Sequence, residues 1–312
     1  MKKKVAVFAN GWNSENVYKY LKGLQEYTPD HTIDYFVFLC HATYGITEEL
    51  RNAMNTIYTL PDLSTFDAAI IFYPGINFEN SIEYIYDKAE KAGIPVISIG
   101  RRYKDFYHIG IDNYVGMKEL VNHLIEEHDV KTVQYIAGSR ENFDSNERLR
   151  AVKDAFYEHN MSFSDDDIFY SNWELLPTTR HVMDMFEEGQ KMPRAFICAN
   201  DKLAESVSYA LENCNVPTPE EVIVTGFDYI DEGQLFYPSI ASVDQQYSLI
   251  GKASTEMLVK IFDGTIGNKK EDIIQCKFCL GESCGCQNTN NENERRRMYA
   301  RGVPRKNILV DQ

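Results

Sequence analysis

Residues 130–160 read VKTVQYIAGSRENFDSNERLRAVKDAFYEHN, and the order of properties along them decides the fold. The first part, VKTVQYIAG, has the length and the β-branched and aromatic content of a buried strand. A polar turn follows, and then SNERLRAVKDAFYEHN, spaced as an amphipathic helix. A strand feeding a helix in this way is half of a βαβ unit, the connection that parallel strands require.

The same rhythm recurs in both directions. Upstream, KVAVFA (residues 4–9) is followed by SENVYKYLKGLQEY (14–27), where Val17, Tyr18, Leu21 and Leu24 share a helical stripe, and by IDYFVFL (33–39). AAIIFYP (68–74), a helix over about 80–92 and IPVISIG (94–100) continue the series, with Gly93 ending the helix and Pro95 opening the strand. Downstream come RAFICAND (194–201), KLAESVSYALENCN (202–215) and EEVIVTGFD (220–228), then a helix over about 247–263 and a closing strand within EDIIQCKFCLGESCGC (271–286). One parallel sheet holding all these strands would be unusually wide, so the reading is an α/β fold of two doubly wound parallel-sheet lobes.

Bulk properties exclude several classes. Lys plus Arg number 32 against 47 Asp plus Glu, a net charge of −15, which repels phosphate backbones and argues against direct nucleic-acid binding. The apolar run after the basic start stops at Asn10 and Gly11, too short for a signal peptide, and no stretch approaches the roughly 18 apolar residues of a membrane span. The expected location is cytoplasmic. Seven cysteines, four of them crowded near the C-terminus, fit a reducing compartment better than a disulfide framework.

Catalytic motifs fail on context. Gly281, Ser283 and Gly285 match G-x-S-x-G, but no helix follows and the last histidine is His181. Cys276, Cys279, Cys284 and Cys286 have the density of a zinc site; strand-borne ligands seldom converge without a knuckle turn, so they are read as small apolar residues on and after a strand, with no metal expected. FANGWNSE has one glycine where a dinucleotide fingerprint wants three, and IAGSREN lacks a P-loop lysine, so no cofactor is expected. A sugar isomerase or nucleoside hydrolase would need a metal cluster or an acid–base pair, and FANGWN supplies no acidic first-strand end.

In open α/β sheets ligands bind beyond the carboxyl ends of the strands. Those ends carry Asn10, Trp12, Tyr73, Asp112, Trp173, Asn200, Asp228 and Gln245, and Arg148 opens the helix after YIAG. Guanidinium, carboxylate and amide groups match vicinal hydroxyls, and indole rings stack on a pyranose face, so the inventory suits a carbohydrate. Competing roles stand beside each: an ion pair with Glu147 or Asp144 for Arg148, packing for Trp12 and Trp173, helix capping for Asn200 and Asp228.

SNERLRAV, FICANDKLA, VIVTGFD and SVDQQYSLIGKAS resemble, in this order and spacing, the effector-binding core of the lactose/galactose-repressor family, which shares the periplasmic sugar-binding-protein fold. The resemblance covers about residues 4–286. It implies lobes of residues 1–112 plus 247–274 and 113–246 plus 275–286, joined by crossover hinge strands, with 287–312 as a linker or tail. It also implies that Arg148, Asn200, Asp228 and Gln245 line the effector pocket, that Trp173 stacks on the ligand, that Asp112 lies near it, and that the first lobe forms a homodimer. Ligand would bridge the lobes and closure would be passed to an output domain outside this chain, DNA-binding or signalling. Two departures stand out. Ala151 occupies a position where the family usually has glycine, and no helix-turn-helix head precedes the first strand.

Overall fold

The computed structural model describes residues 2–11, 14–28, 32–42, 47–73, 76 and 79–286. Along the chain come β1 (Lys3–Asn10), α1 (Ser14–Glu26), β2 (Ile33–Cys40), α2 (Glu48–Asn55), β3 (Ala68–Phe72), α3 (Glu79–Ala92), β4 (Val96–Ile99), β5 (Tyr107–Asp112) and α4 (Asn113–His128). They are followed by β6 (Val133–Ala137), α5 (Phe143–Glu158), β7 (Ile168–Tyr170), α6 (Leu175–Glu187), β8 (Ala195–Cys198), α7 (Asp201–Asn213), β9 (Ile223–Thr225) and α8 (Asp231–Leu235). The last are β10 (Ser242–Asp244), α9 (Tyr247–Phe262), β11 (Glu271–Gln275) and β12 (Lys277–Cys279).

The chain divides into two compact units, residues 1–118 with 244–277 and residues 119–243 with 278–312. It passes between them within α4, within β10 and within β12, and β10 and β12 pair as a two-stranded ribbon.

The first unit is built on a sheet ordered β11-β5-β4-β3-β1-β2, every pair parallel. Strand alternation splits its apolar residues between two cores. Val5, Val7 and Ala9 of β1 join Ile70 and Phe72 of β3 against α1 and α9, through Val17, Tyr20, Leu24, Ile250 and Leu258. Ala6, Phe8, Ala69 and Ile71 face the other way, onto Ile82, Ile85, Tyr86 and Ala89 of α3. Helices cover both faces because every residue of β3 is apolar and buried, as doubly wound sheets demand. The Tyr20 hydroxyl, sealed between α1 and α9, donates to Ser254 Oγ at 3.1 Å, so even its polar tip is satisfied.

The second unit holds a parallel sheet ordered β7-β6-β8-β9. Helix α5 buries Leu149, Ala151, Val152, Ala155 and Phe156, and α7 buries most of its length. Ala151 is fully enclosed, so the methyl group at this departure from the family pattern is accommodated by packing. The expected α/β architecture with parallel sheets is borne out. No helix among the described residues is long and apolar enough to cross a membrane.

Candidate ligand site at the strand ends

The second unit gathers its polar groups where β6, β7, β8 and β9 finish. Strand β6 ends at Ala137 and the chain turns into α5, whose cap is Asn142, its side-chain oxygen accepting from the Ser145 backbone N–H at 2.8 Å. Ser145 Oγ accepts in turn from the Gly138 N–H at 3.0 Å, locking the strand end to the first helical turn. Arg148 lies one turn further along the same face, three residues on, and so enters beside β8 and β9. It is 4% exposed. One guanidinium nitrogen donates to the Ala199 carbonyl at 2.6 Å, its carbon sits 3.7 Å from the centre of the Phe227 ring, and a second nitrogen is 3.7 Å from Asp228 Oδ1. The buried cation is thus held by a carbonyl, a π face and a carboxylate. Arg150 points outward, paired with Glu147 at 2.6 Å and Asp154 at 3.6 Å.

Asp228 has φ +104, a conformation a non-glycine residue rarely takes, and its N–H is tied to the Val243 carbonyl at 2.9 Å. Asn200 caps α7, accepting from the Leu203 N–H at 2.9 Å, which leaves its amide nitrogen without a partner among the described residues. The N-cap position of helix α8 is Ile230, two residues beyond Asp228.

Trp173 adds a second strained point, since Asn172 and Trp173 are both left-handed at φ 52 and 67. The turn is held by Ser171, whose Oγ donates to the Ala137 carbonyl at 2.6 Å and accepts from the Trp173 N–H at 3.1 Å. The indole lies against Gly138, just past the end of β6. A Cβ on Gly138 would come within 2.1 Å of the ring, so only glycine permits the approach. The indole N–H is buried and has no acceptor among the described residues, an orphan donor of the kind that costs about 1–3 kcal/mol unless something binds it.

Asp201 is the residue whose weight sequence reasoning underestimated. It is fully buried, accepting from the Ile230 N–H at 2.8 Å and bonded to Ser242 Oγ at 2.6 Å, while its own N–H donates to the Phe227 carbonyl at 2.8 Å. Burial, and secondarily the nearby Asp228 and Glu205 carboxylates, push its acid well above the usual carboxylate range despite the Ser242 and Ile230 hydrogen bonds. It ties the segment carrying Phe227 and Asp228 to the start of α7. The signal in the sequence was its place directly after Asn200, at a helix start.

The first unit's strand ends are of another kind. Asn10 is buried and donates to the Ala42 carbonyl at 2.9 Å. Asp112 accepts from the Val115 N–H at 3.0 Å at the start of α4. Gln245, also buried, accepts from the Tyr247 hydroxyl at 3.0 Å. Tyr73 accepts from Arg101 at 3.1 Å and, with Tyr86, Tyr103 and Glu83, lines a recess of about 40 Å³, too small for a monosaccharide. Trp12 lies outside the described residues.

The G-x-S-x-G stretch is a packing feature. Ser283 is buried, its Oγ donating to the Val224 carbonyl at 2.5 Å and accepting from the Ala241 N–H at 2.9 Å.

The sequence profile described as "Periplasmic binding protein-like domain" matches residues 121–284, more than half of the chain. This chain belongs to that family. Among curated proteins it is 25% identical over 214 residues to the HTH-type transcriptional regulator MalR of Clostridium butyricum, covering 66% of this chain and 62% of that protein. It is 28% identical over 179 residues to the HTH-type transcriptional regulator AscG of Escherichia coli strain K12, covering 56% and 51%. The chain thus spans between half and two thirds of the length of these two relatives. The fold is that of the transcriptional regulator CelR in its cellobiose complex, with TM-score 0.72, 17% identity, and 90% of this chain and 85% of that one covered. It is equally that of the lac repressor dimer bound to operator and the anti-inducer ONPF, with TM-score 0.72, 15% identity, and 91% and 94% covered. The resemblance to the effector-binding core of lactose/galactose-repressor regulators is borne out.

Proposed function

We propose that this chain is the small-molecule-sensing part of a regulator, that its effector is a carbohydrate, and that it binds the effector and releases it unchanged. The observation that carries the reading is Arg148, a guanidinium buried at the strand ends between the Ala199 carbonyl, the Phe227 ring and Asp228. Beside it stand the amide nitrogen of Asn200 and the indole N–H of Trp173, neither with a partner among the described residues. Such a set of donors and acceptors around aromatic faces is what a polyol requires. The transcriptional regulators MalR and AscG support the reading as a regulator, and the cellobiose complex of CelR supports a sugar as its effector.

In this reading Asn10, Trp12, Tyr73, Asp112 and Gln245 are the ligand-contacting residues of the first unit. A ligand can shift the protein's conformational equilibrium only by the difference between its affinities for the two states. In this reading the protein acts in the cytoplasm as a homodimer, has no enzymatic activity, and reaches DNA or a signalling output only through a domain outside this chain.

Isothermal titration against monosaccharides, cellobiose, purines and amino acids tests the proposal. Saturable binding of a sugar, with the sugar recovered intact by chromatography, is the expected result. Conversion of any bound sugar would sink it in favour of an enzyme, and selective binding of a purine would replace the ligand class.

A further inference from the structure

We propose that His123, His128, Cys284 and Cys286 form a tetrahedral zinc site in the second unit. The two histidines come from the end of α4, whose final residue is His128, and the two cysteines from the segment after β12, 158 positions away between His128 and Cys286. Their ligand atoms all lie within 4.8 Å of one another. The Nε2 atoms of His123 and His128 are 3.1 Å apart; Cys286 Sγ is 3.5 Å from His123 Nε2 and 3.4 Å from His128 Nε2; Cys284 Sγ is 3.9 Å from His123 Nε2. With metal–nitrogen bonds of about 2.05 Å and metal–sulfur bonds of about 2.3 Å, a regular tetrahedron puts nitrogens about 3.3 Å apart and nitrogen and sulfur about 3.5 Å apart. These four of the six ligand–ligand separations are therefore already close to the edges of a zinc tetrahedron, and side-chain rotations would bring the whole set, which lies within 4.8 Å, to it.

Cys284 and Cys286 lie beyond the end of β12, in a turn. Cys284 ends a short 3₁₀ turn (Glu282–Cys284), and Gly285 follows at φ +98, a value that favours glycine, so the backbone reverses and returns Cys286 beside Cys284. This is the knuckle whose apparent lack had argued against a metal. On the helix side the spacing is H-x₄-H, within the range zinc-binding histidine pairs use. The Phe278 ring, 4.9 Å from that of His123, walls one side of the site.

Two imidazoles and two thiolates are a donor set of borderline softness, which selects zinc over magnesium or calcium, and two thiolate charges neutralise the cation. Binding releases the thiol protons, including the one Cys284 gives to the Gly281 carbonyl at 3.1 Å, and the liberated protons pass to solvent. The site would pin the segment ending at Cys286 to the end of α4, and so set the direction in which the chain leaves the second unit.

The test uses the full chain, stripped with chelator under a thiol-free reductant and titrated anaerobically with Co²⁺. The expected result is one equivalent bound, with the intense visible bands of tetrahedral cobalt and a sulfur-to-metal charge-transfer band, both abolished by Zn²⁺. The pair C284S/C286S should lose the charge-transfer band and the stoichiometric binding, while C276S/C279S keeps both. His128→Cys gives a reading that does not depend on loss: three sulfur ligands should raise the charge-transfer intensity. Weak octahedral absorption, binding well below one equivalent, equal spectra from the two cysteine pairs, or an unchanged His128→Cys spectrum would each overturn the site.

Discussion

The carboxyl ends of the two parallel sheets are alike in geometry and unlike in what their polar residues do. In the first unit Asn10, Asp112 and Gln245 are each engaged in a short-range bond that holds up the local backbone or a neighbouring side chain. In the second, a buried guanidinium faces a carboxylate, and an indole and an amide keep donors without partners among the described residues. The first arrangement lowers the energy of the fold; the second carries strain at Trp173 and Asp228 and an orphan donor, a cost that binding can offset. A parallel sheet offers the same sites in both cases, and side-chain chemistry alone decides whether they serve the scaffold or a ligand.

The most severe break of this contrast is Arg148→Ala. It removes charge-assisted hydrogen bonds, each of about 1.5–3 kcal/mol, so sugar affinity should fall by about 100-fold or more. Because Arg148 is also buried against Ala199 and Phe227, denaturant unfolding should register a loss of about 2–3 kcal/mol. Sugar binding at full strength by this variant, measured calorimetrically, would remove Arg148 from the site. The first-unit counterpart, Asn10→Ala, leaves the Ala42 carbonyl bare, with an expected cost of about 1–2 kcal/mol in stability and a smaller change in affinity than Arg148→Ala causes. If the ranking came out reversed, the division of labour between the units would be wrong.

Trp173→Phe sharpens the comparison further. It keeps a ring against Gly138 and deletes the orphan N–H, so affinity should drop about five- to tenfold, one hydrogen bond's worth, with thermal stability close to unchanged. Asp201→Asn addresses the polar latch under the site. The folded state binds the Asp201 proton more tightly than the unfolded chain does, so its stability is full below the usual carboxylate range and declines as pH rises through that range toward the raised folded value. The neutral amide removes this slope, and urea midpoints of variant and parent should diverge in the variant's favour as pH is raised from acid to neutral; parallel curves would show that folding leaves the carboxyl's proton affinity unchanged. The smallest effect belongs to Arg150→Ala. Its exposed pairs with Glu147 and Asp154 are worth at most about 1 kcal/mol together, and affinity should not move.

Much of this was legible beforehand, for local reasons. Alternating apolar strands and amphipathic helices announce a parallel α/β fold because burial on two faces leaves a period that survives in one dimension. Arg148 could be singled out because a cationic residue one turn into a helix, after a strand and a glycine, points back over the sheet. Asp201 was harder to weigh. Neighbours in sequence, Asn200 and Asp201 differ only in which one faces inward, and that depends on the Ile230 and Ser242 donors, some thirty and forty positions on. The His123, His128, Cys284 and Cys286 cluster was invisible for the same reason on a larger scale: its halves are 158 positions apart between His128 and Cys286, and no periodicity links them.

What the chain of residues determined alone was the succession of strands and helices, the family pattern and the list of groups able to meet a ligand, since each follows from composition and spacing within a few turns of backbone. Tertiary structure decided which of those groups are consumed by the scaffold, which are left with unmet donors, and which distant histidines and cysteines come within coordination distance. Hydrogen bonds and metal ligation act over about 2–4 Å, and only the folded backbone sets distances that short between residues far apart in sequence.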